Sequence, residues 1–251
     1  MPERTEYLIA NYFAAHQPNF FPRLKVVSKI WSADSLWVMD DVQYSSREWQ
    51  NRALISHMKL QTSHWLTLPV RRPAGQRTKI RAVEIVEPVR TRTRIVDSIW
   101  HAYRRSPYWS DVARVVEITY QNSPTGLSEL ANASLTALWT ASGRTMQTVH
   151  MPDASIFETS ATTRLANAAD AALASHYIAG SGSLRYMTSL AWTSESMVIA
   201  QDWHPPEGIA KTGGLDWSTV SYLDTIAEAG VLRLVDYLEC EKNRIRRRLD
   251  K

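Results

Sequence analysis

The spacing of apolar and polar residues divides the chain into short elements. The apolar run inside "EYLIANYFAAHQPNFFP" reads as an extended segment ending near Ala15. "HQPNFFP" then turns, because Pro18 and Pro22 each push the preceding residue out of the helical region. In "LKVVSKIWSAD", Leu24, Val27, Ile30 and Trp31 fall on one helix face, and "SLWVMD" is the next strand. Strand, turn, helix and strand over about thirty-five residues is the size of a βαβ unit. Residues 16–22 and 40–52 then sit together at the carboxyl ends of parallel strands, the edge where open α/β sheets hold ligands.

"HWLTLPV" and "KIRAVEIV" read as two further strands joined by the basic loop "RRPAGQRT". Helical spacing follows at about 89–105 and 126–142, and "TMQTVHM" is a short strand. A βα alternation then returns: "TTRLANAADAAL" is helical, "SHYIAG" a strand, "SGSLRYMTSL" a helix start and "SMVIAQDW" a strand. "HPPEGIAKTGG" is the clearest loop, and one or two helices fill the chain from Ser218 onward. The pattern predicts an α/β fold with a mainly parallel sheet and flanking helices, Rossmann-like, with its ligand edge at the strand carboxyl ends.

Composition changes this picture little, charge somewhat more. A chain of 251 residues with 44% apolar residues is large enough to bury ~70–75% of its unfolded surface. The net charge of +4 is unevenly spread: Arg71 to Arg105 carries ten Lys or Arg against three acids, and Lys242 to Lys251 carries six against one. Such patches are either solvated faces or attractors of anions such as nucleotides, sugar phosphates or nucleic acid. The tail arginines 244, 246, 247 and 248 spread around a helix, which suits a solvated helix end. One cysteine, Cys240, excludes an intramolecular disulfide and a cysteine-rich zinc site; its helical context predicts a half-buried structural thiol. No apolar run reaches the ~20 residues of a membrane span, and "MPERTEYL" is no signal peptide, so a cytoplasmic location is expected.

The densest chemistry lies in "DDVQYSSREWQNR", Asp40 to Arg52, directly after the second strand. Asp40 and Asp41 point to opposite faces if the strand continues; Trp37, Met39 and Asp41 share a side, which favours Asp41. Arg52 carries a planar fork suited to carboxylate or phosphate, or to an ion pair with Asp40 or Asp41. Asn51 ends the same stretch, and Tyr44 and Trp49 are either core or a stacking wall. His16 is able to act as a base or acid near neutrality, or merely to cap the turn. Gln17 beside it both donates and accepts hydrogen bonds. "GSGS", Gly180–Ser183, places Ser181 and Gly182 at a second strand end, where backbone N–H groups can receive an anion. No metal site is expected, because the seven histidines are scattered and no HExxH occurs. No GxSxG elbow is present either.

"HQPNFFP" followed by "ADSLWVMDDVQYSSREWQNRALI" strongly resembles the opening of WbqC-like proteins: a QP turn preceded by His or Met, then DDVxY, then WxNR. "TTRLANAADAALASHYIAGSGSLRYM" is similar to that family's TxRL helix, strand and SG turn, and "SYLDTIAEAG" to its SxxDxxxxxG. The resemblance covers roughly residues 8–230. It implies one WbqC-like α/β domain over 1–251, with a helical insertion at about 89–143. By matching, Gln17, Pro18, Asp41, Tyr44, Asn51 and Arg52 carry the family signature. The Met that replaces His16 in some relatives argues against an obligatory catalytic histidine. The family's usual YxQ before its last helix is replaced here by "EGIAKTGG".

The family's occurrence among surface-polysaccharide and natural-product genes implies a biosynthetic enzyme. Acyl or aminoacyl transfer to an amine-bearing small molecule is the leading expectation. His16 and Asp41 are the candidate catalytic residues; Gln17, Tyr44, Trp49, Asn51, Arg52, Ser181 and Gly182 are the candidate substrate contacts. The donor is a thioester (a carrier protein included), an aminoacyl-tRNA or an adenylate; sequence does not choose, and it names no cofactor and no oligomeric state. An imine-forming condensation or dehydration, a nucleic-acid-dependent transferase and a non-catalytic binding subunit are the alternatives.

Overall fold

A computed structural model describes residues 11–46, 48–149, 160–185, 187, 192–209 and 216–247. Its centre is a five-stranded sheet of β1 (Tyr12–His16), β2 (Ser35–Val38), β7 (Gln147–Val149), β8 (His176–Ala179) and β9 (Met197–Ala200), in the spatial order β7-β2-β1-β8-β9. Every pairing in it is parallel. The order follows from the sequence of β1: "YFAAH" has no polar face before its last residue, so it is buried on both sides as the middle strand of a parallel sheet must be.

The two faces of β1 go to different helices. Ala14, with Leu36 of β2, joins the main core together with helix α1 (Leu24–Trp31). Phe13 and Ala15, with Trp37, Tyr177 and Ala179, pack on Leu165, Ala168 and Ala169 of helix α5 (Ala161–Ala171). Layered helix, sheet and helix is the arrangement that a parallel sheet requires.

Between β2 and β7 the chain adds two small antiparallel pairs and three helices. β3 (Arg52–His57) and β4 (Thr62–Thr67) form a hairpin, and the two-residue strands β5 (Val70–Arg71) and β6 (Glu84–Ile85) pair beside it. β3 was not legible as a strand in the hydrogen-bonding-rich stretch that precedes it. "KIRAVEIV" holds a 3-10 turn at Ile80–Ala82, and its strand is limited to the two residues of β6. Helix α2 (Pro88–Tyr103) opens with proline at its first turn, where no N–H is missed. Helices α3 (Trp109–Tyr120) and α4 (Leu127–Ala141) follow, and all three bury residues in the main core. Alternating apolar positions alone did not separate α3 from its surroundings.

The last helix, α6 (Tyr222–Arg246), is broken at Gly230, whose φ of 82° and ψ of 167° only glycine adopts readily. Its far end is solvated on one side only: Arg244 and Arg247 are exposed, Arg248 lies outside the described residues, and the opposite side is packed. Ile245 is buried against Tyr12, Ile178 and Ile199. Arg246 lies over the Tyr12 ring at 4.1 Å and pairs with Asp34 at 2.7 Å. Cys240, expected half-buried, is exposed. "SGSLRYM" holds a single 3-10 turn, Ser183–Arg185, not a helix start within its described residues. The loop "HPPEGIAKTGG" and the end of "TMQTVHM" lie partly outside the described residues. No helix among the described residues is long and apolar enough to cross a membrane.

Candidate functional site

The turn after β1 is held from below by its phenylalanines. Phe20 and Phe21 are fully buried with ring centroids 4.6 Å apart. The Phe21 N–H donates to Ser134 Oγ at 2.9 Å and the Phe20 N–H to the Gln50 carbonyl at 3.2 Å. Anchored so, the turn presents His16, Gln17 and Asn19 upward to a cavity of about 620 Å³. The opposite wall is the turn after β8, where Ser183 N–H and Oγ both donate to the Gly180 carbonyl. The cavity thus lies across the carboxyl ends of β1 and β8.

Helix α1 supplies the floor. Lys25 and Lys29 stand one turn apart on the face turned to β8. Lys25 Nζ donates to Ser181 Oγ at 3.2 Å. Lys29, only 4% exposed, donates to the Ala15 carbonyl at 2.9 Å and lies 3.2 Å from His16 Nδ1. Burial draws the Lys29 amine down to about 8. Gly180 packs over its tip: a Cβ built there comes within 3.8 Å of Nζ.

The contacts assign the His16 tautomer. Asn19 donates its amide to the Pro18 carbonyl, leaving Oδ1 to accept from His16 Nε2–H at 3.2 Å. Nδ1 then holds the lone pair that faces Lys29. Burial, and next the Lys29 charge, hold the ring well below the ordinary histidine value, so it is neutral at physiological pH. A base that weak is a poor acceptor of substrate protons. The amine of the lysine beside it is the group that burial draws toward neutrality.

Arg23 closes one side. Its guanidinium lies 4.4 Å over the Trp49 ring, and burial works against its charge while Glu48 supports it. Arg23, Lys25 and Lys29 face the cavity, against Glu48 as its one carboxylate among the described residues. Amides complete the wall: Gln50 donates to Gln17 Oε1 at 2.8 Å, and Gln201 donates to the Lys25 carbonyl at 2.9 Å. The arrangement suits an anionic ligand that also carries hydrogen-bonding groups.

Of the residues singled out from sequence, His16, Gln17, Trp49, Ser181 and Gly182 line this cavity, and Asp41, Tyr44, Asn51 and Arg52 lie outside its lining. β2 ends at Val38, so strand alternation does not extend to Asp41. The Asp41 carboxylate is buried, with no hydrogen-bond partner among the described residues. Asp40 accepts from Ser128 Oγ at 2.8 Å. Asn51 is buried and donates to the Leu68 carbonyl, bracing the start of the hairpin. Tyr44 is buried too, and burial raises its hydroxyl pKa. Arg52 donates Nε to the Glu48 carbonyl at 3.2 Å and lies 4.3 Å over the Trp65 ring.

Sequence reasoning passed over Arg23, Lys25 and Lys29. The signal was present: two lysines at i and i+4 on the helix directly after the turn, with an arginine at its start. Periodicity counts apolar positions, so it read that helix only for the face it buries. Among the described residues no cluster of His, Cys, Asp and Glu is arranged to hold a metal ion.

The described residues thus form an α/β protein whose central sheet has five parallel strands, with a cation-lined polar cavity across the ends of β1 and β8. Within that class the chain belongs to the WbqC-like protein family, whose model matches residues 17–207. It is also 26% identical over 231 residues to Rv1507c of Mycobacterium tuberculosis (strain ATCC 25618 / H37Rv), a protein described as uncharacterized. That match covers 88% of this chain and 95% of the other.

Proposed function

We propose that the chain is a biosynthetic enzyme that transfers an acyl or aminoacyl group to an amine-bearing small molecule, with an anionic part of the substrate held in the cavity. The observation that carries this is the convergence of Arg23, Lys25 and Lys29 on one cavity beside a neutral His16. Amide formation breaks the bond between the acyl carbon and its leaving group and makes one to nitrogen. The attacking amine must lose a proton, and the carbonyl oxygen gathers negative charge meanwhile. Lys29, with its amine drawn down to about 8, is able to take that proton and return it to the leaving group. Arg23 and Lys25 hold the anionic part, and Gln17, oriented by Gln50, meets the polar part. His16 positions Lys29.

The sheet is read as Rossmann-like: counted along the chain, its strands lie in the order third, second, first, fourth, fifth, and the cavity falls where the order reverses. The first turn is nonetheless unlike a dinucleotide loop. It carries prolines and phenylalanines where glycines are needed, and the Leu24 N–H at the start of α1 is taken by the Val220 carbonyl. A pyrophosphate at that helix end is therefore not part of the proposal.

The test offers the purified protein thioester, adenylate and aminoacyl-tRNA donors with amine-bearing sugars, reading amide products by mass spectrometry. Amide formed by the wild type and not by Lys29→Met supports the reading. Ligand binding without bond formation from any donor rejects it in favour of a binding subunit. The same cavity-lining amine of Lys29 favours one second reading, imine formation with a carbonyl substrate. Borohydride trapping of a covalent adduct at Lys29 distinguishes the two.

A further inference from the structure

A second feature begins at the mouth of the cavity and leads away from it. Arg23 covers Trp49, the Trp49 and Trp65 rings meet at 4.9 Å, and Arg52 covers Trp65 at 4.3 Å. Trp65 is 41% exposed, unusual for a ring of its size on a hairpin. From Trp65 a groove runs between β4 and α2 past Arg94 and Ser98. Those two residues also line the next groove, with His57, His64, Arg90 and His101. Beyond it Lys59, Arg104 and Arg105 border a third depression that shares His57 and His101. Arg104 in turn covers the exposed Trp100 ring at 4.3 Å.

Cations and flat rings therefore alternate along a continuous surface from the cavity to the far end of α2. The acids beside it are Glu48 at the mouth, Asp97 in the second groove, and Glu87, which pairs with Arg90 at 3.3 Å. Arg90, Arg94, Arg104 and Arg105 of the track come from the Arg71–Arg105 segment whose charge excess was evident in sequence.

We propose that this track binds a single-stranded RNA end and brings an acyl group, esterified at the RNA 3′ terminus, into the cavity. Rings and guanidinium planes stack bases without regard to sequence, and the cations between them meet phosphates. A phosphopantetheine arm on a carrier protein brings one phosphate and no ring, and leaves most of the track unused. The proposal rests on the amide-forming reading of the cavity. The reaction balances: the ester carbon–oxygen bond breaks, the carbon–nitrogen bond forms, and the amine proton passes by way of Lys29 to the departing 3′ oxygen.

The experiment measures anisotropy of a labelled single-stranded oligoribonucleotide of about ten residues, a length within the usual range for such grooves, over a salt series. For the wild type, log K falls with log salt by about 0.7 for each phosphate neutralised. Arg94→Gln reduces that slope by about 0.7. Trp65→Ala leaves the slope unchanged and weakens binding about tenfold. Lys29→Met keeps RNA affinity while losing amide formation, and circular dichroism confirms that each variant is folded. Equal affinity in the wild type, Arg94→Gln and Trp65→Ala overturns the track. So does a wild type that binds an acylated carrier protein but no RNA. If amide forms from a small-molecule donor in either case, the track has failed and the cavity reading stands.

Discussion

Lys29 Nζ lies 3.2 Å from His16 Nδ1 and 2.9 Å from the Ala15 carbonyl oxygen. A buried ammonium commonly pairs with a carboxylate, but these two partners are uncharged at neutral pH. Burial therefore draws the amine pKa down without an opposing charge to restore it. The same contact keeps His16 in one tautomer, so two residues thirteen apart in sequence act as one unit at the end of β1.

The first prediction concerns that amine. In nitrogen-15 NMR spectra of lysine side chains, one Nζ signal titrates near pH 8, and it is absent from Lys29→Arg. Turnover rises with pH through the same region, because the neutral amine is the acting form. The sign for stability follows: the folded state releases this proton earlier than the unfolded state, whose lysine titrates at about 10.4. Stability therefore rises with pH across that interval. A lone transition at the ordinary lysine value removes Lys29 from the role of proton acceptor.

Arg23 provides the second. Replacing it with glutamine removes both the fork and the surface that covers Trp49. Binding of inorganic pyrophosphate or a dicarboxylate by calorimetry then weakens by about ten- to a hundredfold, corresponding to charge-assisted hydrogen bonds of about 1.5–3 kcal/mol. Arg52→Lys, outside the cavity lining, leaves that affinity unchanged. If Arg52→Lys weakens it instead, the anion is held at the hairpin and the cavity is misassigned.

How much of this was legible in the sequence varied with the kind of signal. The parallel strands were visible because β1 and β8 are short apolar runs closed by a turn, and their ends gave His16, Gln17, Ser181 and Gly182. Those positions follow from chain geometry alone. "DDVQYSSREWQNR" attracted attention for its polar density, yet Asn51 spends its amide on Leu68 and Arg52 on the Glu48 carbonyl and Trp65. A residue able to bind a ligand is equally able to tie a loop to a hairpin, and composition does not distinguish the two. Lys29 was passed over for the opposite reason, although its i, i+4 spacing with Lys25 was there to read. On a helix it reads as a solvated charge, and only the approach of β8 and Gly180 encloses it.

Gly230 gives the third prediction. Its backbone lies in a region nearly closed to other residues, and an added Cβ meets Tyr108 Cδ1 at 2.8 Å. Asp111 Oδ2 accepts the Val231 N–H at 2.9 Å just beyond the break, so the two halves of α6 are fixed through this point. Gly230→Ala costs about 2–4 kcal/mol, from backbone strain and overpacking together. Urea denaturation measures it. A loss under about 0.5 kcal/mol, the range of ordinary surface substitutions, shows that the helix redraws its break at no cost.

Asp224, six residues earlier, carries the last prediction. It is buried beside the hairpin, where Oδ1 accepts the Ser56 N–H at 2.8 Å. Burial raises its pKa to about 7, and the hydrogen bonds from Ser56 oppose that rise. The unfolded chain loses this proton at about pH 3.9, whereas the folded chain keeps it to about 7. Between those values the folded state binds more protons, so this group's contribution to stability declines as pH rises. At about 1.36 kcal/mol per pH unit, the upper bound is on the order of 4 kcal/mol. Asp224→Asn keeps an oxygen for the Ser56 N–H and does not titrate, so its stability lacks this decline. His16 works in the opposite direction, because its lowered pKa makes stability rise with pH as the unfolded histidine loses its proton. The difference between wild type and Asp224→Asn cancels that term, so the measurement is the change in that difference between about pH 5 and pH 7.5. The expected result is a wild type that loses ground steadily to the variant as pH rises. Parallel pH curves would show that the Asp224 carboxylate ionises in its pocket as freely as in water, and the buried acid would then have found a compensating partner.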